Sequence, residues 1–137
     1  MVLVLIALSP PWFLIVEPAA FGLEAWGCLL AEYRAIPFTL ALYGMAITPL
    51  TAGICEEIIW RGYLQTRLEP KLGDRGATTA QAVLFGLWHG PSPHAIFTAV
   101  FGLLFGFIYA KTRRLIPLMV AHWLGDVVGF SAMYLSA

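Results

Sequence analysis

Charged residues are scarce in this chain of 137 residues. Aspartate, glutamate, lysine and arginine together make up 12% of it, whereas 60% is hydrophobic. A soluble domain usually carries about 25% charged residues, so the composition is instead typical of a polytopic membrane protein with little chain outside the bilayer. Basic and acidic residues balance, and no basic run is present. We therefore expect no nucleic acid as a partner.

Cysteine is almost absent from the sequence. Cys28 and Cys55 stand alone in apolar stretches and lack the CxxC spacing of a zinc knuckle. The sequence therefore predicts no disulfide framework, and we expect both thiols to pack as small apolar groups.

Apolar segments take up most of the chain. Segment 36–69 is too long for one crossing, because about 20 residues span the hydrocarbon core. Pro49 favours a break or a kink, at which we divide the segment into 36–48 and 50–69. The first segment lacks the positively charged start of a signal peptide, and we interpret it as a membrane segment. The segments are 1–16, 19–31, 36–69, 78–90, 95–110 and 115–136.

These segments predict an all-α fold, a polytopic membrane bundle of six to seven helices with a buried polar site. We expect a single transmembrane domain over residues 1–137. Basic residues cluster in loops 67–75 and 111–114, whereas the turn at 90–93 is uncharged. The positive-inside rule predicts that both basic loops are cytoplasmic and that the lipid bilayer surrounds the helices.

Six ionisable residues interrupt the predicted membrane segments. Such groups are costly in a bilayer and are therefore functional candidates. At a rise of ~1.5 Å per residue, three different helices bring them to depths between roughly 11 and 21 Å from the predicted cytoplasmic face. The sequence therefore predicts one polar site below the lipid surface. The six residues are Glu56, Glu57, Arg61, His89, His122 and Asp126.

Helical spacing sorts these side chains into pairs. Glu57 and Arg61 are four residues apart, so they share a helix face and can neutralise each other. Glu56 is turned about 100° away from Glu57, which leaves it available as a general base. His122 and Asp126 are also four residues apart.

Each group has a purely structural alternative. Glu57 with Arg61 is then a structural ion pair, and His122 with Asp126 is a polar clasp between helices. His89 is then a histidine at a helix end that binds a backbone carbonyl. We interpret His94, which follows the turn and lacks a partner at helical spacing, as structural or interfacial.

Three motifs resemble those of a known family. EEIIWR, which begins at Glu56, matches EExxxR. FGLWH, which ends at His89, matches FxxxH, and HWLGD, which begins at His122, matches HxxxN/D. In this order and spacing the motifs resemble the CAAX-protease and bacteriocin-processing family, also called the abortive-infection family. The resemblance covers a core of about residues 45–130.

The resemblance implies an intramembrane endopeptidase without a required cofactor. By position, Glu56 would activate the hydrolytic water with help from His89. His122 and Asp126 would hold the oxyanion of the tetrahedral intermediate. The implied partner is a membrane-associated peptide or protein, processed at a C-terminal sorting tail, a leader peptide or a CAAX-type terminus. A compact member of this family is expected in the cytoplasmic membrane of a prokaryote.

Two parts of the implied site have open roles. Glu57 and Arg61 would support the site or contact substrate. The last motif position is often asparagine, which can donate a hydrogen bond to an oxyanion, whereas an ionised Asp126 cannot. Asp126 would therefore be protonated, orient His122 or bind a metal.

Two alternatives to this mechanism stay open. In one, His89, His122 and Asp126 bind zinc as two histidines and one carboxylate, with Glu56 as base, although the HExxH signature is absent. In the other, the protein is a membrane peptide-binding or immunity protein that uses the same pocket without turnover.

Overall fold

The described part of the chain is helical throughout. The computed structural model describes Ala7 and residues 9–137, and it contains no strand within them, which confirms the predicted all-α class. The predicted segment 1–16 lies partly outside these residues. The elements are a π-helical turn Trp12–Val16, α1 Glu17–Phe21, α2 Leu23–Ala35, α3 Phe38–Glu56, a π-helical segment Glu57–Gln65, α4 Thr66–Trp88, α5 Pro93–Thr112 and α6 Ile116–Ser136.

Three stretches of helix in the described residues are long and apolar enough to cross a membrane. They are Phe38–Trp88, Pro93–Thr112 and Ile116–Ser136. Many of their large apolar side chains are exposed, including Leu40, Val100 and Ile116. Such a surface suits hydrocarbon rather than water, so this is a membrane protein. The count of six to seven helices stays a prediction.

The long apolar segment does not break where we expect it to. Pro49 is buried inside α3, and helical structure continues without interruption into the π-helical segment. Proline is tolerated in membrane helices because neighbouring groups can satisfy the freed carbonyl. The backbone departs from helical geometry at Gly73 instead, with φ 69° and ψ 169°. Only glycine adopts this region readily, so Gly73 is where the chain changes direction.

The fold divides into two compact units. One consists of Gly53–Met119, which we call the central unit. The other combines the described residues up to Ala52 with Val120–Ala137, and we call it the terminal unit. The central unit thus holds the first two sequence motifs, and the terminal unit holds the third.

Helices α4 and α5 pack closely within the central unit. A Cβ atom on Gly86 would lie 2.6 Å from the Ala95 carbonyl oxygen and 2.8 Å from the Ala99 Cβ. Gln81 adds a polar contact, because its Nε2 donates to the Gly102 carbonyl at 2.8 Å. Small residues that allow close approach, and buried amides that form hydrogen bonds between helices, are common at helix contacts in membranes.

The predicted basic loop 67–75 is helical and belongs to α4, apart from the non-helical Gly73. It lies beside the predicted loop 111–114 in the central unit. Arg113 Nη1 donates to Glu69 Oε2 at 2.5 Å, and Arg113 Nη2 lies 3.8 Å from Asp74 Oδ1. The hydrogen bond that Arg113 donates to Glu69 raises the pKa of Arg113 above its ordinary value. Loops 67–75 and 111–114 therefore occupy one end of this unit, as their predicted common orientation requires.

Aromatic side chains connect the helices of the terminal unit. Trp123 Nε1 donates to the Ala46 carbonyl at 2.8 Å, and Tyr134 donates to the Ile36 carbonyl at 3.4 Å. An indole or phenol in an apolar surrounding needs such an acceptor. These bonds join α6 to α3 and to the turn before it.

The two cysteines are not packed as the sequence predicts. Cys28 and Cys55 are both free thiols, and both are exposed rather than packed in a core. On a lipid-facing helix an apolar side chain gains nothing from being inside, so hydrophobicity does not predict burial here.

The close approach of α4 and α5 predicts the effect of adding one methyl group. Gly86→Ala should lower the free energy of unfolding by about 1–3 kcal/mol, because backbone and Cβ atoms of α5 cannot move aside. Gly44→Ala is the matched control, since nothing lies within 4 Å of its Cβ position. Reversible unfolding in detergent measures both, and equal stability of the two variants would contradict the predicted packing.

Candidate active site

A fully buried ion pair lies at the first motif. Arg61 Nη1 is 3.0 Å from Glu57 Oε1, and both side chains have 0% exposed area. The spacing of four residues predicts this pair. Burying two charges is unfavourable unless they neutralise each other, so each side chain requires the other. In this respect the pair is structural, whatever further role it has.

Glu56 has surroundings different from those of its neighbour. It ends α3 and is half-buried, whereas Glu57 begins the π-helical segment and is fully buried. The expected divergence of these two adjacent carboxylates is therefore visible in their exposure. A half-buried carboxylate can meet both water and a substrate, which suits a general base.

Two aromatic rings enclose the guanidinium of Arg61. Its Cζ lies 4.8 Å from the centroid of the Phe85 ring and 5.4 Å from that of Phe105. A cation over an aromatic face is attracted by the ring quadrupole, and the attraction increases when water is excluded. Phe85 belongs to the second motif, so the first two motifs meet at this ring.

His89 lies at the C-terminal end of α4 and is half-buried. Its Nδ1 is 2.9 Å from the Phe85 carbonyl oxygen. A carbonyl only accepts, so Nδ1 is the donor of this hydrogen bond, and in the neutral form of the ring the lone pair is then on Nε2. The structural alternative for His89, a bond to a backbone carbonyl, therefore agrees with the geometry.

His94 is closer to the site than the sequence indicates. We expect it to lack a partner, yet its ring centroid lies 5.5 Å from that of His89. The turn at 90–93 folds the start of α5 back against the end of α4. This contact crosses a turn, so helical spacing could not reveal it.

His122 and Asp126 form the expected pair in the terminal unit. His122 Nε2 is 3.6 Å from Asp126 Oδ2, at the spacing of one helical turn. The His122 side chain is buried, whereas 31% of the Asp126 side chain is exposed. This geometry fits a carboxylate that orients its neighbouring imidazole.

The structure thus joins the first two motifs by direct contacts. Arg61, Phe85 and His89 form a continuous series in the central unit. The convergence of all catalytic candidates on one cavity stays a prediction. Within each unit, the described residues include no group of three histidine, cysteine, aspartate or glutamate side chains arranged to hold a metal ion.

Buried neutral polar groups are the main feature that the sequence reasoning missed. Gln65 and Gln81 both have 0% exposed area. Gln65 Nε2 donates to the Gly106 carbonyl at 3.0 Å and to Thr78 at 3.2 Å. A search for ionisable groups alone passes over such amides, although a glutamine in an apolar segment is itself a usable signal.

Comparison with known proteins bears on all of these residues. The family described as type II CAAX prenyl endopeptidase Rce1-like matches residues 37–128. The chain is 27% identical over 111 residues to the protein named "Putative membrane peptidase YdiL" from Bacillus subtilis (strain 168). That match covers 78% of this chain but 43% of the relative's length. No solved structure matches.

The family match includes the three motifs in full. Residues 37–128 begin before Glu56 and end after Asp126. The match therefore rests on the part of the chain that carries the ionisable residues, and it extends over more than half of the sequence. This protein belongs to the Rce1-like family of type II CAAX prenyl endopeptidases.

Proposed function

We propose that this protein is an intramembrane endopeptidase that hydrolyses a peptide bond in a membrane-associated peptide or protein. One observation carries the proposal: the family match over residues 37–128 contains all the motif residues in order. The relative's printed name, a membrane peptidase, is of the same class.

In the proposed reaction, Glu56 removes a proton from water while the water oxygen attacks the scissile carbonyl carbon. His89 assists through the lone pair on Nε2, which the bond from Nδ1 to the Phe85 carbonyl leaves available. The tetrahedral intermediate then breaks its carbon–nitrogen bond. The proton taken from water passes to the leaving amine.

His122 and Asp126 have the proposed task of stabilising the oxyanion. An imidazole N–H donor beside the developing charge lowers the barrier most effectively where water is excluded. Asp126 Oδ2 lies 3.6 Å from His122 Nε2, which is longer than a hydrogen bond but close enough for electrostatic attraction to orient a protonated imidazole. This role also explains how an aspartate can replace the more frequent asparagine.

The proposed substrate reaches the site from the bilayer. The exposed apolar side chains of the three long helices support this route, because a lipid-anchored or membrane-spanning segment can pack against them. Candidate cleavage sites are a C-terminal sorting tail, a leader peptide or a CAAX-type terminus. We place the protein in the cytoplasmic membrane of a prokaryote, with loops 67–75 and 111–114 in the cytoplasm.

Glu56→Gln tests the proposed base directly. The amide is nearly isosteric but cannot take a proton from water, so cleavage should fall by about 10²–10⁴-fold. The measurement is cleavage of reporter peptides with prenylated, leader and sorting-tail termini by purified protein in liposomes. Glu24→Gln, at an exposed glutamate of α2, is the matched control.

Two outcomes would count against the proposed mechanism. Unchanged cleavage by Glu56→Gln would remove Glu56 from the reaction. A wild-type protein that binds these peptides tightly without cleaving them would favour the alternative of a peptide-binding or immunity protein.

A zinc-dependent mechanism is the alternative that Asp126 favours by its chemistry. Two imidazoles and one carboxylate, from His89, His122 and Asp126, are a donor set that zinc accepts. Bound zinc would supply a water of lowered pKa and a Lewis acid for the carbonyl. Glu56 would keep its role as proton acceptor in this alternative.

Asp126→Asn separates the two mechanisms. Without a metal, asparagine should retain activity within about tenfold, because its amide can itself donate to an oxyanion. Asp126→Ala should lose about 10²–10³-fold, as when an oxyanion donor is removed. Cleavage should be unaffected by chelators. Loss of activity both in Asp126→Asn and after chelation, with restoration by zinc, would establish the metal mechanism.

A further inference from the structure

We propose that Glu57 and Arg61 position His89 through the ring of Phe85. The inference rests on the proposed function, because it assigns a task to three residues of the same site. Arg61 does not touch substrate in this arrangement. It supports one side of an aromatic ring that contacts the imidazole of His89.

The first step concerns the contacts that restrict the side chain of Arg61. Its guanidinium is bonded to Glu57, lies between the rings of Phe85 and Phe105, and has no exposed area. Its Nε and Nη2 atoms find no hydrogen-bond partner among the residues that the structure describes. The two rings and the bonded carboxylate of Glu57, with a further electrostatic contribution from Glu56, therefore determine where the guanidinium lies. A substrate carboxylate cannot reach a guanidinium without exposed area.

The second step concerns the contacts that restrict the side chain of Phe85. Its side chain is 1% exposed, and the Trp60 ring lies 5.4 Å from its own. The guanidinium of Arg61 lies over the same ring at 4.8 Å. The ring is therefore enclosed by an indole and by a cation that is itself fixed by an ion pair.

The third step concerns two contacts between Phe85 and His89, one between the rings and one hydrogen bond. The two rings meet edge to face, with centroids 4.8 Å apart and an interplanar angle of 87°. The carbonyl of Phe85 accepts a hydrogen bond from the Nδ1–H of His89. His89 follows the last residue of α4, where the helix no longer constrains its backbone on both sides. The orientation of Nε2 therefore depends on Phe85.

Cleavage kinetics give the first test. Phe85→Leu keeps the backbone carbonyl and an apolar side chain but removes the ring, so kcat should fall on the order of 10²-fold with KM nearly unchanged. Arg61→Lys keeps the charge but cannot fill the space between two rings, and it should reduce kcat in the same way. The double variant should lose no more activity than the more impaired of the two single variants, because the two residues act in series.

Phe107→Leu is the matched control for these variants. Phe107 is 43% exposed on α5, so loss of its ring should leave kcat unchanged. Circular dichroism and gel filtration in detergent confirm that each variant keeps its fold. Arg61→Lys preserves a cationic partner for Glu57, so this variant does not leave a buried carboxylate without its counterion.

Magnetic resonance of labelled histidine gives a readout that does not require activity. The chain has three histidines, and His89→Gln identifies the signals of His89. Phe85→Leu should shift these signals because the ring current is lost. Arg61→Lys should shift them too, although Arg61 acts only through Phe85, whereas the control Phe107→Leu should leave them in place.

The two readouts distinguish the possible failures. Unchanged His89 signals in Arg61→Lys, together with lost cleavage, would overturn the proposal and assign Arg61 to substrate or to folding. An effect of Arg61→Lys mainly on KM would do the same. If the wild-type protein cleaves nothing, the proposed function fails, and the histidine signals still decide whether Arg61 positions His89.

Discussion

The buried ion pair between Glu57 and Arg61 is the constraint on which the central unit depends. Removing one member of such a pair leaves an uncompensated charge and typically costs about 3–5 kcal/mol. A membrane offers no water to relieve it. The chain meets this demand with side chains four residues apart and with the faces of Phe85 and Phe105. Once these groups are in place, the end of α4 has little freedom.

Close helix packing is what brings the aromatic rings to the ion pair. Gly86 allows α5 to approach α4, and Gln81 bonds the backbone of α5 across that contact. Neither feature carries chemistry by itself. Both hold Phe85 beside Arg61, and through its carbonyl and ring Phe85 determines how His89 presents Nε2. Packing and catalysis are therefore parts of one arrangement in this unit.

The proposed hydrolysis requires polar groups in a place where they are unfavourable. Preorganised donors and a general base act most strongly where bulk water is excluded, which is also where their burial costs most. The protein limits that cost by pairing Arg61 with Glu57 and by keeping Glu56 only half-buried. Two adjacent carboxylates therefore differ: Glu57 is buried in an ion pair, whereas Glu56, the proposed base, stays half-buried.

Some of the predictions from sequence were wrong for identifiable reasons. The sequence predicts a division of the long segment at Pro49, but membrane helices accept proline, and Gly73 changes the chain direction instead. It also predicts burial of Cys28 and Cys55, but lipid accepts exposed apolar groups. Both errors come from applying rules for water to a protein whose solvent is hydrocarbon.

The sequence by itself determined the membrane class, the helical fold and the local pairs of Glu57 with Arg61 and of His122 with Asp126. These depend on composition and on spacing within one helix, which are local properties. Only the tertiary structure decided that the guanidinium of Arg61 lies over the ring of Phe85, and that His94 folds back against His89. Such contacts join residues from different helices, and their distances depend on helix rotation and approach, which no local pattern contains.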